Sequence, residues 1–66
     1  MNAKAKFALS NAESALKRAL QQVEMLRSPE IEQAQNAEHK QIAIDAAIGY
    51  AQQAVECLQD YSKWSA

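Results

Sequence analysis

Apolar residues recur along this chain at alternating steps of three and four, the spacing that lines one face of an α-helix. In the second half, Ile44, Ile48, Ala51, Val55 and Leu58 make one such stripe; Ala43, Ala47, Tyr50, Ala54, Cys57, Tyr61 and Trp64 make another beside it. One antiparallel neighbour covers only about two positions in seven, so two adjacent stripes call for more than one partner helix. The first half offers a single stripe, Leu9, Ala12, Leu16, Ala19, Val23 and Leu26, in which large residues alternate with alanine. A second copy of the chain is expected to supply the remaining cover. The pattern predicts an all-α antiparallel helical hairpin that dimerises into a four-helix bundle. Ile44, Ala47, Ile48, Tyr50, Ala51, Ala54, Val55, Cys57 and Leu58 are the expected oligomer interface.

Within a single domain spanning residues 1–66, the spacing predicts a helix from about residue 3 to 27. A connector with a short helical turn follows over about 28–36, then a second helix over about 37–63. Ser10-Asn11-Ala12-Glu13 has the form of a capping box, so the first helix has an alternative start there. Lys4 and Lys6 oppose the helix dipole of the longer version, whereas Phe7 and Leu9 extend its apolar face. Ser28-Pro29-Glu30 is the clearest boundary: Ser is a good N-cap, Pro is tolerated at the first helical position, and Glu complements the dipole. The almost wholly polar run from Glu32 to Lys40, with a second N-cap candidate at Asn36, divides the connector from the second helix. Antiparallel docking sets Val23 near Ile44, Leu16 near Ile48 and Ala51, and Phe7 near Leu58, Tyr61 and Trp64. Residues 1–27 hold five Lys/Arg against two acids, and residues 28–66 hold six acids against two Lys, so opposite charges favour docking of the arms.

At 66 residues and 48% apolar composition, the chain makes a domain too small to be stable without help. A domain of this size buries only about 60% of its unfolded surface. The single cysteine, Cys57, rules out an intrachain disulfide, and no Cys/His spacing supports structural zinc. Oligomerisation is the staple left. A lone thiol on an apolar stripe fits a reducing, cytoplasmic setting. No apolar run approaches the roughly 20 residues of a membrane span, and no signal-type segment opens the chain.

Candidate chemistry is sparse. His39 and Cys57 lie about 27 Å apart along a continuous helix, too far for a nucleophile and its base. Glu38, His39 and Asp45 lack the count of a metal set. Gly49 is the only glycine, so a phosphate-cradling loop is excluded. No catalytic residue, metal ligand or cofactor is expected. Gly49 instead joins Ile42, Ala46 and Gln53 in a smooth patch on the side of the helix away from the stripes, where another backbone could approach. With Tyr61 and Trp64 at the open end of the hairpin, this patch is the candidate partner-binding surface.

Lys4, Lys6, Lys17, Arg18 and Arg27 are scattered around the first arm, and a net charge of −1 argues against nucleic acid as partner. In size and layout the chain looks like the plasmid RNA-binding Rop hairpins, which pair into four-helix bundles. That likeness is architectural, and no Rop motif maps onto these residues; what it implies is a second alternative function, a Rop-like RNA-binding hairpin. Lys40-Gln41-Ile42-Ala43-Ile44-Asp45 looks like the opening of the second helix in phage hairpin proteins that sequester cyclic nucleotides. It covers six of 66 residues, and the spacing to the following aromatic departs from that pattern. The likeness implies an alternative function as a small-ligand binder, in which Lys40 or Arg18 would hold a phosphate. The leading expectation is a small non-enzymatic regulator or inhibitor that binds itself and a larger protein.

Overall fold

A computed structural model describes residues 3–28 and 37–65, which form two helices, α1 over Ala3–Arg27 and α2 over Ala37–Ser65. The connector lies outside the described residues apart from Ser28, whose N–H donates to the Met25 carbonyl at 3.1 Å as α1 ends. α1 runs unbroken through Ser10, so the capping-box start is not used. Two of the four buried residues of α1, Ala5 and Ala8, precede Ser10, so a later start would discard half of what α1 buries. α1 has no acid in its first turn and Arg27 in its last; α2 has Glu38 and Lys63 at the ends that suit its dipole.

The helices dock side by side and antiparallel. Lys4 Nζ sits 4.3 Å from the centroid of the Trp64 ring, and Arg18 Cζ sits 5.8 Å from that of Tyr50. Two heptads separate these contacts on either helix, which fixes one register along the whole hairpin. In that register Ala15 lies within a residue of the level of Ala54, and Ala12 within a residue of the level of Cys57. Cα extents of 48 × 14 × 11 Å fit a single layer of the two described helices.

The seam between the helices is lined largely by alanine. Ala5, Ala8, Ala12 and Ala15 of α1 and Ala43 and Ala54 of α2 are the buried residues, with Ala19, Gln22, Leu26, Ala47, Tyr50, Cys57 and Tyr61 half-buried along the same two stripes. Small side chains let helix axes approach toward the lower end of the usual 8–10 Å range, which is what makes a seam without large residues workable. The expected partner stripe of α1 therefore splits. Ala12, Ala19 and Leu26 enter the seam, while Leu9, Leu16 and Val23 stay exposed beside it. Val23 still lies level with Ile44, and Leu16 level with Ala51, but these pairs flank the seam and do not fill it. Phe7 does not pack on the aromatic end. It lines a groove with Ala3, Lys6 and Ser10, all on its own helix, because it is two residues on from the buried Ala5 and so points away from α2.

Candidate interaction surface

The alanine seam leaves the hairpin with two unlike faces. On one, Leu9, Leu16, Leu20 and Val23 of α1 run beside Ile44, Ile48, Ala51, Val55 and Leu58 of α2. All of these except Ile44 are exposed, Leu16 and Ile48 each at 51%. Helical spacing explains their side. Leu9, Leu16, Val23, Ile44, Ala51 and Leu58 each lie three or four residues from a seam position, Leu20, Ile48 and Val55 continue the same flank one step further out, and in an antiparallel pair those flanks coincide. Leu58 lining one groove with Leu9, Leu16 and Leu20 shows the two rows meeting. Glu13 and Lys17 border this face and pair at 3.2 Å, a solvated contact one turn apart. Such a pair contributes only about 0.3–0.5 kcal/mol.

The opposite face is polar at its middle. Asn11, Ser14 and Arg18 of α1 border a shallow groove with Gln53, Glu56 and Asp60 of α2, floored by Ala15 and the half-buried Cys57. Toward the connector the same face turns apolar, where Met25 and Gln22 meet His39, Ile42 and Ala43.

The nine residues expected to face a second chain are thus divided. Ala47, Tyr50, Ala54 and Cys57 close the seam within the hairpin, whereas Ile44, Ile48, Ala51, Val55 and Leu58 form the α2 row of the apolar face. Leu9, Leu16 and Leu20 belong to that face as much as the α2 residues do. Their signal was the run Ala5, Ala8, Ala12, Ala15 and Ala19, whose own three-and-four spacing marks a seam that leaves the leucines outside it.

Of the candidate partner-binding residues, Ile42, Ala46, Gly49 and Gln53 lie on the opposite flank from the apolar face. Ile42 is 64% exposed, and a Cβ built on Gly49 would meet nothing within 4 Å. Tyr61 is half-buried in the seam. Trp64 carries the Lys4 ammonium over its ring, with the Lys63 ammonium 5.1 Å from its centroid. Arg18 and Lys40, the two candidate phosphate partners, are not brought together. By the register they stand about 15 Å apart along the hairpin. Basic side chains occur on both faces of α1. Among the described residues no group of three or more His, Cys, Asp or Glu is placed to hold a metal ion, and neither described helix is long and apolar enough to cross a membrane. No family model matches this chain, and no curated protein or solved structure is significantly similar to it.

Proposed function

We propose that this chain is a small non-enzymatic protein-binding regulator or inhibitor, active as a homodimer in which two hairpins stack through their apolar faces into a four-helix bundle. The division of its apolar residues carries this reading: alanines fill the seam, while the leucines, isoleucines and valines that would stabilise a core lie together outside it.

With the apolar faces buried, a larger protein would meet what is left, the Ile42, Ala46, Gly49 and Gln53 patch or the Tyr61 and Trp64 end. A twofold dimer presents each of these twice, so the mechanism is occlusion or bridging of the partner. The half-buried thiol of Cys57 suits a reducing cytoplasm.

The test is Ile48→Asp. It puts one carboxylate per chain into the stacked faces, and at about 3 kcal/mol for each unpaired buried charge the dimer constant falls by more than a thousandfold. Sedimentation should show the variant as a monomer where the wild type is a dimer. Equal mass for the two would sink the assignment of this face. Partner binding is tested separately by Ile42→Asp and Trp64→Ala, which should keep the dimer mass and weaken capture of the partner from the native host.

A further inference from the structure

The two rows of the apolar face differ in the charge of the helices that carry them, and this selects how a second copy lies on it. Resting on the dimer proposed above, the geometry points to a twofold axis parallel to the helices, with α1 of each chain lying on α2 of the other and both connectors at one end of the bundle. Two stackings keep every neighbouring pair of helices antiparallel. With the axis along the bundle, α1 covers α2 of the second copy. With the axis across it, α1 covers α1 and α2 covers α2.

Charge separates them. α1 carries five Lys/Arg against two acids, and α2 carries four acids against two Lys. The lengthwise axis sets each basic helix between two acidic ones; the crossing axis puts like beside like. The rim of the apolar face shows where this acts. Along α1 its outer edge runs Lys6, Glu13, Leu20, Arg27, each seven residues from the next, and along α2 it runs Gln41, Ile48, Val55, Ser62. A crossing axis must pass near Leu16 and Ala51 to bring Leu9 onto Val23 of the second copy, and it then sets Lys6 against Arg27 twice. The lengthwise axis carries the hairpin register across to the second copy. Leu20 meets Ile48, and Arg27 meets Gln41 within a turn of Glu38 and Asp45. Glu13, drawn onto Lys17, leaves Val55 room between Leu9 and Leu16. Opposed potentials across an interface favour one register over another in this way.

The test is disulfide trapping in a Cys57→Ser background. Leu20→Cys with Ile48→Cys should give a covalent dimer on mild oxidation, since within one chain these positions lie on opposite outer edges of the hairpin. Ile48→Cys with Val55→Cys should not, although the crossing axis would pair them. Those two sites are two turns apart on one helix, beyond the reach of an intrachain disulfide. The reverse pattern, or a dimer by mass that neither pair traps, overturns the lengthwise axis and leaves the dimer standing. A monomer by sedimentation under reducing conditions for the wild type overturns both.

Discussion

Replacing Ala15 by leucine tests the alanine seam near the middle of the hairpin. Ala15 is 4% exposed, and Ala54, within a residue of its level on α2, is 2% exposed. Leucine adds three carbons at a site already buried between the helices. In a site that could accommodate them, those carbons would add roughly 0.8 kcal/mol of burial each. Here they must force the axes apart or leave their rotamer wells, and overpacking of this kind costs about 1–3 kcal/mol net. Helix propensity is not a confounder, because leucine is nearly as good a helix former as alanine. A loss of about 2 kcal/mol lowers the Tm of a domain this small by roughly 8–16 °C. The assay is thermal unfolding followed by circular dichroism, with Ser14→Leu as the control. Ser14 is the neighbouring exposed position, away from the apolar face, and its leucine variant should melt within a few degrees of wild type. An Ala15→Leu chain that melts at or above wild type would refute the claim that the hairpin closes on alanine.

Gly49→Ala should stabilise the hairpin by about 0.5–1 kcal/mol, since the site is mid-helix and the added Cβ meets nothing within 4 Å. Melting curves check this, and a destabilised variant would mean that something packs on that side. Gly49→Leu should leave the fold intact and block partner capture only if a partner backbone approaches the patch. Lys4→Ala removes one cation from the Trp64 ring and should cost about 0.5–1 kcal/mol while changing the emission of this single tryptophan. Unchanged fluorescence would place the Lys4 side chain in water.

Much of the fold was legible in the sequence because heptad spacing is a local signal. The second-half stripes of Ala43 to Trp64 and Ile44 to Leu58 both exist on α2, and opposite-signed arms fold antiparallel at the expected level, Val23 beside Ile44. The assignment of stripes to partners was not legible. Any apolar stripe at this spacing can face any helix, and size alone makes Leu9, Leu16 and Val23 look like core. The deciding property is how closely two axes can approach. Ala5, Ala8, Ala12 and Ala15 are buried in the seam, where their small side chains permit a close approach, and the leucines are left on a face that neither described helix covers. Phe7 looks like core for a related reason: its level matches the aromatic end, and its angle around the helix turns it away. The partner-binding candidates were legible only as residues left over from the stripes, so the sequence defines where a partner can dock and not what it is.

Sedimentation of the wild-type chain over a dilution series, with helicity recorded on the same samples, tests the central claim most directly. Stacking of the apolar faces predicts a species of twice 7.3 kDa at micromolar concentration, with helicity lost as dilution dissociates it. A fully helical species of 7.3 kDa that persists across the series would contradict it, because Leu16, Leu20, Ile48 and Val55 would then remain in water in the native state.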